Sequence, residues 1–377
     1  MDNLALMEER LARVKKVVQL EPVDRLPVIQ NASAFGPRYT GHTIAEFCGV
    51  NEASMNITLE AMDKLGGLDG INLAMIGRNT ALLTTAWLSR IGVPGKDLPA
   101  DSLWQVREAE VMTVDDYDTI IEKGWPAFLD GYLPKVIDPA DLGDALGWLM
   151  ANLPDGIKKY HAHGYVTMAA TAIATPLDYL CGGRSMAKFY IDLHRIPDKI
   201  EAAMDVMLPA ILGQGIGGSL AAGVPGIWIG GWRTAGALLA PKLWQRFVWP
   251  YMVKSVHAVM EAGLIPILHL DQDWTRDLAF FRDLPAKACV MNPDGLTSAV
   301  KFKEILGDHM AWMGDTPATL FAAGTPDDIY RYVREQVELF EGRGLIIAPG
   351  CDAPINTKPE NMEAFVAAAR EYGAVFA

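Results

Sequence analysis

A histidine, an aspartate and a distant cysteine have the side-chain types that bind a transition metal. His269 and Asp271 lie two positions apart in the run ILHLDQDW, which begins as an apolar strand and ends in polar residues. Side chains two apart on a strand point the same way, so the pair could hold one ligand. Cys351 follows a second apolar run, LIIAPG. Imidazole, carboxylate and thiolate are all zinc ligands, and three of them leave the fourth position open, as catalytic zinc requires.

Eight short apolar runs supply the elements that would position these side chains. They cover residues 26–30, 70–75, 164–173, 226–232, 265–271, 288–294, 310–315 and 345–352. Each is followed by polar or glycine-rich residues and then by a helical pattern, which indicates a parallel sheet covered on both faces. Eight such units predict an α/β fold of the closed (β/α)8 TIM-barrel type. We expect one domain over residues 1–377.

The stretch between the second and third runs is too long for a simple crossover. It contains DSLWQVREAEVMTVDDYDTIIEKGWPAFLDGY, which is acidic, aromatic and punctuated by proline. This composition predicts a short hairpin plus helices inserted after strand 2. Loops at that end of a barrel strand lie over the barrel mouth, so we expect residues 95–140 to form a lid.

Composition excludes several classes of partner. The net charge of −13 argues against nucleic acid and anionic membranes. Four cysteines without a CxxC pair form no disulfide framework, so we expect a reducing, cytoplasmic location. The first twenty residues have no long apolar core and predict neither a signal peptide nor a membrane anchor.

The ends of the predicted strands carry further candidates, because chemistry in such barrels is placed there. Asp294 and Asp315 are candidate catalytic carboxyl groups. A set of polar and aromatic side chains is expected to line a substrate pocket: Asn31, Arg78, Trp87, Trp232, Trp274 and Asn292. Ordinary structural roles compete with each function, since tryptophan and cysteine are often core residues. A histidine, an aspartate and a cysteine on one rim are harder to explain in that way.

Four stretches carry a resemblance to a known family. RVKKVVQLEPVDRLPV, DLHRIPDKIEAAMD, WPYMVKSVHAVMEAGLIPILHLD and GLIIAPGCDAPINTKPENMEAFVAAAREYG resemble the uroporphyrinogen decarboxylase superfamily, over nearly the whole chain. The resemblance implies a (β/α)8 barrel. It also implies either a decarboxylase or a zinc-dependent, corrinoid-linked methyltransferase.

Two departures separate these branches. The decarboxylases carry an arginine-bearing segment after strand 1, where this chain reads QNASAFGPRYTG with only Arg38 nearby. An acidic protein without clustered arginines should bind a polycarboxylate poorly. Thiol methyltransferases of the superfamily carry HxC and a later PGC, whereas here Asp271 replaces the first cysteine. A carboxylate in place of a thiolate makes the metal a stronger Lewis acid, which suits an oxygen substrate.

HLDQDWTRDL, GDTP and PGCDAP are most similar to corrinoid-dependent methyltransferases that demethylate methyl ethers. This resemblance implies zinc on His269, Asp271 and Cys351, with a methoxylated aromatic as methyl donor and Asp294 or Asp315 as proton donor. Cobalamin would arrive on a partner corrinoid protein, because no DxHxxG-like segment is present. A homodimer is also implied. A thiol or folate methyltransferase, a decarboxylase and a ligand-binding barrel without a metal remain alternatives.

Overall fold

Eight parallel strands form a barrel in the computed structural model, which describes residues 2–374. The described residues form two more strands, β3 and β4, which pair with each other outside the barrel. In chain order the strands are β1 (Ile29–Gln30), β2 (Gly70–Leu73), β3 (Arg90–Gly92), β4 (Gln105–Arg107), β5 (Val166–Ala174), β6 (Gly226–Gly231), β7 (Ile265–Leu270), β8 (Val290–Pro293), β9 (Ala311–Met313) and β10 (Leu345–Ile346). The barrel order is β1-β2-β5-β6-β7-β8-β9-β10. A parallel bridge between Val28 and Ile347 joins the last strand to the first. The TIM-barrel prediction is confirmed.

Helices cover the outside of the barrel. They are α1 (Asn3–Val18), α2 (Phe35–Thr40), α3 (Ile44–Gly49), α4 (Ala53–Leu65), α5 (Asn79–Trp87), α6 (Asp115–Lys123), α7 (Trp125–Tyr132), α8 (Pro139–Ala162), α9 (Pro176–Arg184), α10 (Met186–Arg195), α11 (Pro197–Ala222), α12 (Pro241–Phe247), α13 (Trp249–Glu261), α14 (Ala299–Leu306), α15 (Ala318–Ala323), α16 (Pro326–Phe340) and α17 (Pro359–Tyr372), with 3-10 turns at Leu133–Lys135 and Thr275–Asp283. Within residues 2–374, no helix has the length and hydrophobicity needed to cross a bilayer.

Local sequence explains where several helices begin. Proline occupies one of the first two positions of α8, α9, α11, α13, α16 and α17, where its missing N–H costs no hydrogen bond. Thr325 and Asp328 form a reciprocal capping box at the start of α16. Each of these signals defines the residue at which a loop ends and a helix begins.

The barrel interior is apolar below and polar near the mouth. Ile267 of β7 and Val290 of β8 are fully buried in an interior cluster, which α1 closes from below through Val14 and Val17. Two residues further along β7 and β8, the same face carries His269 and Asn292, which are opposite each other in the strand register. The period of two along a strand therefore places polar groups directly above the core.

The segment between β2 and β5 contains α5, the hairpin β3–β4, α6, α7, the first 3-10 turn and α8. The hairpin is antiparallel, with Arg90 opposite Arg107. A hairpin and helices are therefore present where the acidic, aromatic stretch lies. The lid function of residues 95–140 stays a prediction.

Candidate metal centre

His269, Asp271 and Cys351 meet at the carboxyl ends of β7 and β10. The Nε2 atom of His269 lies 3.3 Å from Oδ1 of Asp271, and the Sγ atom of Cys351 lies 4.0 Å from the same oxygen. All three ligand atoms lie within 4.8 Å of one another. Tetrahedral zinc with ordinary bond lengths separates its nitrogen and oxygen ligands by about 3.3 Å and its sulfur and oxygen ligands by about 3.5 Å. The donor types and their spacing therefore fit a zinc-sized cation.

The backbone explains why the two β7 ligands share a face. Although β7 ends at Leu270, the amide of Asp271 donates to the carbonyl of Gly231 at 3.1 Å. Asp271 thus continues the strand pairing with β6, and its side chain points the same way as that of His269. His269 is 3 % exposed, whereas the carboxylate of Asp271 is 30 % exposed. The site is closed on the barrel side and open towards the mouth.

A close backbone approach brings in Cys351. A Cβ atom on Gly350 would lie 2.8 Å from the carbonyl carbon of Asp294, so only glycine lets the loop after β10 reach the loop after β8. The next residue, Asp352, accepts hydrogen bonds from the amide and hydroxyl of Ser33, both at 2.5 Å. The cysteine is therefore fixed between two anchored neighbours.

Two asparagines orient the imidazole of His269. Nδ1 of His269 lies 2.8 Å from Oδ1 of Asn292, and the Asn292 amide nitrogen donates to the carbonyl of Met313 at 2.8 Å. Because the side-chain nitrogen of Asn292 faces the Met313 carbonyl, the side-chain oxygen of Asn292 faces the His269 ring and accepts the Nδ1 proton. Asn72 donates to the same oxygen at 2.9 Å. This arrangement leaves the Nε2 lone pair for a metal, as outer partners of metal-binding histidines commonly do.

The electrostatics of the cluster favour a cation. Burial lowers the pKa of His269, but hydrogen bonds with Asp271 and Cys351 outweigh it and hold that pKa well above its ordinary value. The side chains around Nε2 therefore favour a positive charge. A metal ion would take the place of the proton there, since all three ligands bind metal in their deprotonated forms.

A column of stacked aromatic rings runs from the metal cluster to the segment after β2. The ring of His269 stacks on Trp228 with centroids 4.6 Å apart, and Trp228 stacks on Trp232 at 6.3 Å. Trp232 stacks in turn on Trp87 of α5 at 4.9 Å. The guanidinium of Arg233 lies 5.1 Å from the Trp87 ring and ends the column. Two predicted pocket residues, Trp87 and Trp232, are thus linked to the candidate metal site.

The two candidate acids differ in their surroundings. Asp294 accepts backbone hydrogen bonds from Gln272 at 2.8 Å and Leu296 at 3.0 Å. Burial raises the pKa of Asp294; the charge of Asp271 also raises it, and that of His269 lowers it, as expected of a carboxyl beside the cluster. Asp315 is almost fully buried and binds the hydroxyl of Tyr332 at 2.8 Å.

Burial raises the pKa of Asp315 to about 7. Its carboxylate also accepts a hydrogen bond from Gln336 of α16. The contacts of Asp315 are thus to the helix layer, whereas the two carboxylate oxygens of Asp294 accept backbone amides from the loops after β7 and β8.

The remaining predicted pocket residues have structural contacts. Arg78 binds Asp141 at 2.6 Å and Asp144 at 2.8 Å, which ties the start of α5 to α8. Trp274 is fully buried, and its indole nitrogen donates to the Asp271 carbonyl at 2.8 Å. Trp274 thus supports Asp271 through this hydrogen bond, and its buried ring has no surface exposed to a substrate.

Asn31 is half-buried after β1, and its carbonyl accepts the amide of Ala353 at 2.9 Å. Asn292, the last of the six predicted pocket residues, accepts the hydrogen bond from Nδ1 of His269. Asn72 and Trp228 could not be recognised from the sequence, because each lies inside an apolar strand run that predicts core. Asn72 lies one residue before the end of β2 and Trp228 three residues before the end of β6, so neither stands at a strand exit.

Comparison with known proteins agrees with this architecture. The family model for uroporphyrinogen decarboxylase (URO-D) matches residues 137–372. Among solved structures, a methyltransferase from Methanosarcina mazei is similar, with a TM-score of 0.71 and 20 % sequence identity. The match covers 96 % of this chain and 98 % of that one. No functionally curated protein matches significantly. The structural likeness supports the fold, while the family match covers more than half of the chain.

Proposed function

This chain belongs to the uroporphyrinogen decarboxylase family, and we propose that it is a corrinoid-dependent methyltransferase. It would move a methyl group from a methylated oxygen, in a methoxylated aromatic, to cob(I)alamin on a partner corrinoid protein. The observation that carries this proposal is the ligand set itself, in which a carboxylate stands between a histidine and a cysteine at the barrel mouth. The similarity to a named methyltransferase structure is in keeping with it.

We propose that His269, Asp271 and Cys351 hold one zinc ion. Bound there, zinc would act as a Lewis acid on the substrate oxygen and neutralise the charge that develops as the methyl group leaves. The protein's part is to keep the ligands in place through Asn292 and the loop at Gly350. Because His269 is buried and Asp271 is partly exposed, both substrate and partner would reach the site from the barrel mouth.

Asp294 is the better placed of the two proposed proton donors. Its pKa is raised, so more of it is protonated near neutral pH than of an exposed aspartate. It could deliver this proton to the leaving oxygen, because its surroundings include Asp271 and His269. Asp315, with a pKa of about 7 but contacts to α16, would act only from a greater distance.

The pocket and the partners complete the proposal. Trp87, Trp232 and Asn31 would form its wall, and residues 95–140 would close over the mouth and receive the corrinoid protein. Closure would exclude water from the reactive cobalt and strengthen the metal–oxygen interaction. We also propose a cytoplasmic homodimer, for which light scattering should give a mass above the 41.1 kDa of one chain.

The test is spectroscopic. The zinc-loaded protein is mixed with cob(I)alamin and a panel of methoxylated aromatics, and the conversion to methylcobalamin is followed by absorbance. Conversion by wild type, and its loss in Asp271→Ala, would support the proposal. The matched control Asp273→Ala removes a neighbouring carboxylate that contacts the backbone of Thr275 instead of the metal cluster.

An opposite result would identify the thiol branch. If no ether is demethylated, and a thiol is methylated from methylcobalamin, the ether proposal is wrong. Asp271→Cys provides a further comparison, because a second thiolate should reduce the Lewis acidity of the metal and move the site towards thiolate chemistry.

A further inference from the structure

The imidazole of His269 is held on two sides. Its edge is bonded to Asn292, and one face is covered by Trp228 at 4.6 Å with an interplanar angle of 22°. A hydrogen bond to one nitrogen fixes a direction but allows the ring to rock about it. A stacked neighbour blocks that rocking, because the ring would have to leave van der Waals contact.

A glycine in β6 leaves space for the stacked tryptophan rings. Gly230 is opposite His269 in the β6–β7 register. A Cβ atom on Gly230 would lie 2.1 Å from the Trp232 ring and 2.7 Å from the Trp228 ring. The two indoles therefore fill the space beside the metal ligand that any larger residue would occupy. This glycine is needed for the close approach of side chains, as its φ angle is not positive.

The far end of the column is fixed by charge. Arg233 donates to the Cys181 carbonyl at 3.0 Å and lies 3.5 Å from the carboxylate of Glu108, just beyond β4. Glu108 also accepts the amide of Met186 at 2.8 Å. The guanidinium of Arg233 lies 5.1 Å from the centre of the Trp87 ring, which is a cation–π contact. The column therefore runs from His269 to Arg233, which pairs with Glu108 at the end of the hairpin.

From this geometry we propose that Trp228 is a positioning residue for the metal ligand His269, with Trp232 and Trp87 as its support. The inference concerns the metal site of the proposed function, but the ring contacts exist without a metal.

The first test uses metal-free protein and does not depend on the proposed reaction. In protein labelled with ¹⁵N-histidine, the Nδ1 proton of His269 should exchange slowly with water. Trp228→Ala should speed this exchange at least about tenfold, since the ring gains freedom to open. Trp228→Phe should restore slow exchange. Trp104→Ala removes a half-buried tryptophan that stacks on Phe47, and it should leave the His269 signal unchanged.

Unchanged exchange in Trp228→Ala would overturn the inference. If that variant fails to fold, Trp87→Ala decides the matter, because it removes the support one ring further away. The His269 Nδ1 proton should then exchange faster than in wild type, by less than the tenfold expected for Trp228→Ala. Wild-type exchange in Trp87→Ala would refute the supporting role of the ring column.

The second test measures zinc affinity by competition with a chromophoric chelator. Trp228→Ala should weaken binding about 10- to 100-fold, as the loss of outer support typically does. Trp228→Phe and Trp104→Ala should bind like wild type. Wild-type affinity in Trp228→Ala would refute the positioning role. Absence of zinc binding in the wild type would instead refute the proposed metal centre, and the exchange experiment would still decide on the column.

Discussion

Replacing Asn292 with leucine should separate metal affinity from general stability. The substitution keeps a similar volume but removes the acceptor for His269 Nδ1 and for Asn72, and the donor for the Met313 carbonyl. Each buried polar group left unpaired costs about 1–3 kcal/mol. The free energy of unfolding should therefore fall by at least about 2 kcal/mol.

Zinc affinity should fall as well, and by a predictable amount. Loss of an outer partner of a metal-binding histidine costs about 10- to 100-fold in affinity, or about 1.4–2.7 kcal/mol. Competition with a chromophoric chelator measures this change, and urea unfolding of the metal-free protein measures the stability. Both losses should appear in Asn292→Leu.

A matched variant tests the reasoning. Asn361 is fully buried and donates to the carbonyls of Leu320, Phe321 and Gly324. Asn361→Leu should lose comparable stability but bind zinc like wild type, because these contacts lie between α15 and α17. Equal zinc affinity in Asn292→Leu and wild type would refute the orienting role. A similar loss of affinity in both variants would show that destabilisation alone is responsible.

The double variant His269→Ala, Cys351→Ala should retain no zinc in elemental analysis; undiminished zinc would contradict the ligand assignment, and wild-type binding should weaken at low pH because the ligands must be deprotonated. For Asp315, the folded pKa of about 7 exceeds the ordinary 3.8, so the folded state keeps a proton that the unfolded state loses, and stability from this group falls as pH rises from 4 to 7. Asp315→Asn should therefore gain stability relative to wild type as pH rises from 5 to 8, by about 2–3 kcal/mol in urea unfolding; a constant difference would contradict the buried neutral carboxyl. Gly230→Ala should lose about 1–3 kcal/mol and disturb tryptophan fluorescence, because its methyl group overlaps the Trp232 ring; an unchanged spectrum and stability would count against the packing.

The barrel could be predicted from the sequence because each strand carries its own signal. An apolar run, a glycine or polar exit and a following helix recur eight times, and the pairing order follows from chain order in this fold. The juxtaposition of His269 and Asp271 follows from the period of two along a strand. Cys351 could be placed on the same rim because β10 closes the barrel.

Other features depend on contacts between distant elements. Trp228 and Asn72 have the sequence surroundings of core residues, and only the register between strands shows that they touch or support the metal cluster. Trp274 follows the same strand exit as Asp271, but the chain turns there and buries its ring. A hydrophobic pattern gives the face of a strand, whereas which ring stacks on which depends on the packing of the whole barrel.

The position of Cys351 along the chain has a consequence for folding. A metal bound as proposed would cross-link Asp271 and Cys351, which are 80 positions apart. Closing a loop of that length removes chain entropy from the unfolded state, by about 4.5 kcal/mol at most if the metal acts as a disulfide does. The enclosed segment contains β8, β9 and β10, the last three strands of the barrel. Amide exchange in these strands should therefore slow more on zinc addition than exchange in β1 and β2, because the ion would tie the end of β7 to the loop after β10.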